Sequence, residues 1–382
     1  MRVKSFRGAD GIVYLPFIGD RILCKDITDY ESVVGRRPIS EVLELADKVK
    51  GLKILHISMG FKPSWSTKIL SSLVPLCKSI GMKAEWTIIA NPSNLAIDNL
   101  DITASSPYDV VMSYDVDLLP LVLAKREGEK WIWRCYSDAP YDHGTSSIKM
   151  LVSHYDALIL PCRDYELMSI KPYGIFVIPP SIDPLSERNR PLSESEVLAV
   201  LDRYNINPDK PIVGQIVSSS SEVDLSIKLS RKLREREDIQ LIVLSPMSID
   251  EKLSLNADSS DVQVLPSSLS DYKFNAIQRA STLTLYFSSR RGYEIAVIEA
   301  MWKGIPVVVS SSCDTASIIV DGITGLIAST PLDACEKALM LLRKRWLARE
   351  LGENGREYVK KNFLIIRDLR DCLKLYLKLM FD

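Results

Sequence analysis

The fold class the sequence predicts is α/β, with two doubly wound parallel-sheet domains, and three observations carry that prediction. Short β-rich runs alternate with helical stretches along the chain, the pattern of parallel sheets covered on both faces. A proline-rich segment near residue 180 interrupts this alternation, which then begins afresh. The chain also has 382 residues, too many for one comfortable core.

The elements follow in order. Lys53–Ile57 reads as the first confident strand, followed by a turn region from Ser58 to Pro63 and a helix over Ser66–Ile80 that Gly81 stops. Further strands are expected at Ala84–Ile89, Val110–Met112, Trp131–Cys135, Ala157–Leu160 and Ile175–Ile178, completing a first domain over residues 1–180. The stretch 181–191 lies in a proline-rich segment that starts at Pro179; fixed φ angles make it a stiff connector. A second domain over 192–362 has strands expected at Pro211–Val217, Ile239–Leu244, Val262–Leu265, Leu283–Phe287, Pro306–Val309 and Gly325–Ile327. Helices near 222–236, 271–280, 293–303 and 331–343 fill its gaps. Apolar residues at 369, 373, 375, 377 and 379 predict a last helix, within 363–382, packing across the domains.

Composition excludes several function classes. With 48 basic and 49 acidic residues the formal charge is −1, no footprint for nucleic acid or an anionic membrane. Apolar runs such as Ile305–Val309 are far too short to span a bilayer, and the first residues lack the apolar run of a secretory signal, so the expectation is a cytoplasmic protein. The seven cysteines are scattered with no Cys-x-x-Cys pair, and three histidines stand far apart, which argues against a zinc site or a disulfide frame. No bound metal is expected, and self-association into a homo-oligomer is left open.

The passage from Ser288 to Val308 carries the most chemistry. It runs from a strand through a glycine-containing turn into a helix and on to the next strand. A helix that starts beside a ligand crevice points its first N–H groups at an anion. Glu299 falls about one and a half turns into that helix. A carboxylate there accepts two hydroxyl hydrogen bonds, which suits the 2′,3′-diol of a ribose; the plain alternative is a solvated helical glutamate.

This passage resembles the C-terminal motif of the family-4 retaining glycosyltransferases, in which two glutamates flank seven residues ahead of Ala-Met and a Gly-x-Pro-Val strand. Here Glu299-Ala300-Met301 and Gly304-Ile305-Pro306-Val307 match it, and Asp321-Gly322-Ile323-Thr324-Gly325 is similar to the family's D-G-x-T-G turn. The resemblance narrows to the trehalose glycosyltransferring synthases through Ser72–Leu76, Ser79–Gly81, Trp131–Cys135, Pro179–Asn189, Asn275–Ser281 and Glu299–Gly304, in order along the chain. It implies the GT-B architecture, two Rossmann-like domains facing across a cleft. It also implies transfer of glucose, with retention, from a nucleoside diphosphate glucose to the anomeric hydroxyl of a sugar acceptor. No cofactor is required; helix N-termini and basic side chains stabilise the leaving diphosphate. The expected partners are a small sugar and a sugar nucleotide.

Carried over residue by residue, the pattern is incomplete. Glu299 matches the glutamate that holds the ribose, with Ile295, Ala296 and Val297 opening its helix on the donor side. The glutamate that holds donor-sugar hydroxyls falls on Arg291, Gly292 is kept, and a second glycine falls on Glu294. The basic pair that clamps the diphosphate is missing from the loop carrying Ser218 and Ser219, and the glycine-rich loop of the first domain falls on Phe61 and Lys62. A catalytic-side histidine falls on Tyr136, while Asp138 and Asp115 match acidic positions. Loss of two charge-assisted contacts, about 1.5–3 kcal/mol each, lowers donor binding or transition-state stabilisation on the order of 10² to 10⁴.

Two readings follow. In one, Arg290, Arg291, Lys62 or a serine nest replaces the lost clamp and the chain is an active transferase. In the other, a catalytically degenerate paralogue binds a sugar or nucleotide as a regulatory protein. Each residue also has an ordinary alternative: a solvated arginine pair, a polar serine turn, aspartates that cap turns, and a packed Tyr136, whose phenol is a poor proton carrier beside histidine.

Overall fold

The structure, a computed structural model, describes residues 6–7, 13–14, 25–60, 65–89, 108–135, 145–162, 174–217, 220–244, 261–265, 269–288 and 294–381. The chain divides into two compact units, Met1–Asp183 with Leu364–Asp382, and Pro184–Phe363.

In the first unit a short antiparallel pair, β1 (Phe6–Arg7) and β2 (Val13–Tyr14), precedes helices α1 (Glu31–Val34) and α2 (Arg36–Lys48). Ile39, Val42 and Ala46 recur at helical spacing on α2 and are buried, which is why this stretch winds and docks. The main elements are β3 (Lys53–Met59), α3 (Trp65–Ser79), β4 (Lys83–Ile89), β5 (Val110–Ser113), β6 (Lys130–Arg134), α4 (Thr145–Ser153), β7 (Ala157–Leu160) and β8 (Ile175–Val177). The strands pair in parallel in the order β4-β3-β5-β6-β7-β8. Every residue of β5 and β7 is buried, as apolar runs covered on both faces require, whereas β4 alternates exposed Lys83 and Glu85 with buried Ala84 and Trp86, as an edge strand does.

The second unit contains α5 (Glu194–Arg203), β9 (Ile212–Ile216), α6 (Ser220–Arg234), β10 (Gln240–Leu244), β11 (Val262–Leu265), α7 (Asp271–Ala280), β12 (Leu283–Tyr286), α8 (Ile295–Trp302), β13 (Val307–Ser310), β14 (Leu326–Ala328), α9 (Pro331–Arg343) and α10 (Arg345–Asn362). Its sheet is also parallel, in the order β11-β10-β9-β12-β13-β14. The predicted strands of both sheets are present. Helices α1, α2, α4, α5 and α10 are additions to the sequence reading; in α2, α5 and α10 a few apolar residues are buried on otherwise charged helices.

Within the stretch 181–191, expected as a stiff linker, Ser181 and Asp183 are buried in the first unit, and Asn189 in the second. Asp183 accepts from Lys25 Nζ at 3.0 Å, Tyr30 Oη at 3.1 Å and Ser72 Oγ at 2.7 Å, so its start is anchored by hydrogen bonds. The last helix, α11 (Ile365–Phe381), groups with the first unit.

A buried ion pair fixes α11 there. Arg134, at the end of β6, and Asp368, on α11, are both fully buried and meet at 2.6 Å. Asp368 also accepts from Ser181 Oγ at 2.5 Å and from Cys372 Sγ at 3.4 Å. The Arg134 guanidinium lies 5.0 Å from the Trp65 ring centre and 6.0 Å from that of Tyr114, and the Tyr114 hydroxyl is 2.9 Å from His56 Nδ1. Burial, reinforced by the Arg134 charge, pushes the His56 imidazole down to about 3, so this histidine folds neutral. No helix among the described residues is long and apolar enough to cross a membrane.

Breaking the pair strands a buried charge. Asp368→Asn is expected to cost about 3–5 kcal/mol of unfolding free energy, read by urea denaturation. His56 gives a pH signature of defined sign. Its folded value lies below the unfolded one near 6.5, so the stability it contributes is complete above about pH 6.5 and is lost toward pH 3, at up to roughly 1.4 kcal/mol per unit. In His56→Gln, unfolding free energy measured between pH 6.5 and 4 should show a correspondingly shallower slope.

Candidate functional site

In the second sheet the chain lays β10 and β11 to one side of β9, then returns to lay β12, β13 and β14 on the other. The order therefore reverses between β9 and β12. Parallel strands bind ligands beyond their carboxyl ends at such a reversal, where the loops leave in opposite directions. Glu222, in the first turn of α6, accepts a hydrogen bond from Ser288 Oγ at 2.5 Å, joining the loop after β9 to the loop after β12. Both side chains are buried.

Several predicted site residues lie outside the described residues: Ser218, Ser219, Arg290, Arg291 and Gly292 in the second unit, and Phe61, Lys62, Tyr136 and Asp138 in the first. Ile295, Ala296 and Val297 do open α8 after β12. Their expected role needs correction. The Ala296 N–H donates to the Glu294 carboxylate at 3.1 Å, and the Val297 N–H to the Glu294 carbonyl at 3.1 Å. Those amides are satisfied by the chain's own cap and do not stand open to an anion.

Glu299 is the predicted residue with the most developed surroundings. From Ala296 to Trp302 every side chain of α8 is buried, so the helix is apolar all round except for this carboxylate, which is 3% exposed. It is therefore no solvated helical glutamate. Arg188 Nε donates to both carboxylate oxygens, at 2.7 Å each. Arg188 Nη1 reaches Asp271 at 3.1 Å in the first turn of α7, and the guanidinium lies 3.5 Å from the Phe274 ring centre. Burial opposes the Arg188 charge, yet Glu299 and Asp271 outweigh it and hold the guanidinium above its ordinary value. One turn on, Lys303 Nζ donates to Asn189 Oδ1 at 3.1 Å, Gln278 Oε1 at 2.7 Å and the Glu299 carbonyl at 3.3 Å. Burial pushes this ammonium well down, with Glu299 opposing.

An ionised carboxylate offers about four lone-pair positions, and the single Nε–H of Arg188 is shared between two of them. Glu299 thus keeps acceptor capacity for two hydroxyl donors. Sequence reasoning missed Arg188, Asp271 and Phe274. Arg188 lies within a segment singled out for its prolines, and nothing in its neighbours reveals a partner 111 residues away.

In the first unit the order reverses between β3 and β5, and Asp115 stands just past β5 at that point. Its Oδ2 accepts the Met59 N–H at 2.7 Å, at the end of β3. Burial raises this carboxyl's pKa, the Met59 bond opposes the rise, and Asp117 adds to it. Among the described residues no three His, Cys, Asp or Glu side chains gather into a group that could hold a metal ion.

Residues 211–344 match the family described as Glycosyl transferases group 1. The second unit carries a group 1 glycosyltransferase domain. That domain encloses β9 through α9, and with them Glu222, Ser288, Glu294 and Glu299. Beyond it, the chain is 29% identical over 395 residues to a trehalose synthase of Pyrococcus horikoshii, covering 91% of this chain and 95% of that protein. A sucrose-phosphate synthase from Thermosynechococcus elongatus superimposes with a TM-score of 0.68 at 13% identity, over 86% of this chain and 99% of that one. Anabaena Alr3699/HepE in complex with UDP-glucose superimposes at 0.67, also with 13% identity and the same two coverages. The fold is GT-B, and the match to the group 1 glycosyltransferases lies within its second unit.

Asp115 offers a test that separates its backbone bond from its charge. Asp115→Asn keeps an acceptor for Met59 N–H and removes a buried charge, so at pH 7 its stability should equal or exceed the wild type. That difference should vanish as pH falls through the raised carboxyl value. Asp115→Ala leaves the amide unanswered and should cost about 1–3 kcal/mol. Urea titrations of both variants at pH 7 and pH 4 check this.

Proposed function

We propose that the protein transfers glucose, with retention, from a nucleoside diphosphate glucose to a sugar acceptor, in the manner of a trehalose synthase. The observation that carries the reading is Glu299: a buried carboxylate on α8, the helix that follows β12, bonded by Arg188 in a group 1 domain. Burying a carboxylate is costly, and α8 would pack as well with an apolar residue at that position. A cis-diol is a fitting ligand, since two vicinal hydroxyls supply two donors to the lone pairs that Arg188 leaves. Similarity to trehalose synthases over nine-tenths of the chain supports glucose as the transferred group, and a UDP-glucose complex on the same fold supports a nucleoside diphosphate donor. The reaction needs no cofactor in this reading. As the glycosidic oxygen of the donor departs with the diphosphate, the Arg290 and Arg291 region is the source of compensating positive charge, because Ala296 and Val297 have spent their amides on Glu294.

That same use of the α8 amides favours a second reading: a catalytically degenerate relative that binds a sugar or nucleotide without turnover. A helix end that is already capped gives a leaving diphosphate less help.

The deciding experiment incubates the purified protein with glucose and a panel of nucleoside diphosphate glucoses, and follows nucleoside diphosphate release and disaccharide formation. Product with retained anomeric configuration is expected. Ligand binding without single-turnover product selects the second reading. In the active protein Glu299→Gln should raise KM for the donor about 10- to 150-fold, the worth of one charge-assisted hydroxyl bond.

A further inference from the structure

We infer that Arg188 is a positioning residue for the nucleoside: it aims the Glu299 carboxylate at the ribose diol. This rests on the reading of Glu299 given under Proposed function. A glutamate side chain has three rotatable torsions, and on an otherwise apolar helix no neighbouring side chain of α8 orients its end. The Arg188 Nε–H reaches both oxygens at 2.7 Å, which places the donor on the carboxylate's symmetry axis and fixes the plane of the group. A centred donor leaves one outward lone pair on each oxygen, the pattern that two vicinal hydroxyls require. Arg188 is itself held on two other sides, by the Phe274 ring at 3.5 Å and by Asp271 at 3.1 Å, so the pair is preorganised before any ligand arrives.

The alternative is that Arg188 merely ties the 184–191 segment to the domain. Other bonds already perform that task. Asn275 Nδ2 donates to the carbonyls of Glu187 and Arg190 at 2.9 Å each, and Arg279 Nη2 to those of Asn189 and Arg190 at 3.1 and 3.0 Å. Trp302 Nε1 and Lys303 Nζ bind Asn189 as well. The segment is anchored independently of Arg188, and the arginine's interaction with Glu299 adds orientation.

The test is calorimetric titration of the full chain with UDP-glucose, ADP-glucose and the 2′-deoxyribose counterpart of each. The wild type should prefer the ribose form about 10-fold or more, the loss expected when a charge-assisted hydroxyl bond is removed. Arg188→Met should bind the ribose form about 10-fold or more weakly and lose the preference, while still melting cooperatively. Arg188→Lys, whose ammonium bonds one oxygen at a time, should retain part of it. The double variant R188M/E299Q should bind no more weakly than Glu299→Gln alone, because both changes remove one interaction. If Arg188→Met keeps the wild-type ratio of ribose to deoxyribose affinity, the inference is overturned while the donor reading stands. If Arg188→Met fails to fold, an unaltered ratio in Arg188→Lys overturns it instead. A wild-type protein that binds none of the four nucleotides brings down the donor reading and this inference together.

Discussion

A carboxylate inside an apolar helix survives as an anion only where a cation and good geometry offset the loss of water. In the second unit that condition is met by Arg188 and Glu299, and much of the local architecture follows from it. The 184–191 segment must pass close enough to α8 to deliver the guanidinium. The first turn of α7 must bring Asp271 and Phe274 to its other sides. One turn beyond Glu299, Lys303 is buried and donates to the amide oxygens of Asn189 and Gln278. Such a network tolerates little displacement, because each member left unanswered carries the full cost of desolvation.

The first unit contains the same device put to another use. Arg134 and Asp368 are fully buried, and Asp368 is further answered by Ser181 and Cys372. Its oxygens are occupied by the protein, and the consequence is topological: the last helix returns to the first sheet. Glu299 differs in accepting a single shared N–H. A saturated buried pair fixes structure; one with lone pairs to spare is prepared for a ligand. The contrast lies in the number of partners each carboxylate has, since the two arginines are alike.

Both sheets reverse their strand order once, and acidic side chains with partners within the chain stand at those reversals. Asp115 bonds across β3 and β5 to the Met59 amide, while Glu222 and Ser288 join the loops after β9 and β12. Acidic groups at these points are satisfied within the chain, as is the start of α8 by Glu294.

Much of the architecture was legible in the sequence because parallel strands buried on both faces must be near-continuous apolar runs, and runs such as Val110–Met112, Ala157–Leu160 and Pro306–Val309 announce themselves. Glu299 was legible too, since its spacing from Ala-Met and Gly-x-Pro-Val is a local property of the chain. What surrounds it was not. Arg188 meets Glu299 across 111 residues, and Arg134 meets Asp368 across 234. The depth of Glu299, the cap that closes the start of α8 and the return of the last helix to the first unit were likewise decided in three dimensions. Hydrophobic periodicity and motif spacing are written along the chain, so sequence alone determined the strands, most of the helices they connect and the carboxylate. Charge compensation depends on which distant segments meet once water is excluded, and only the tertiary structure decides that.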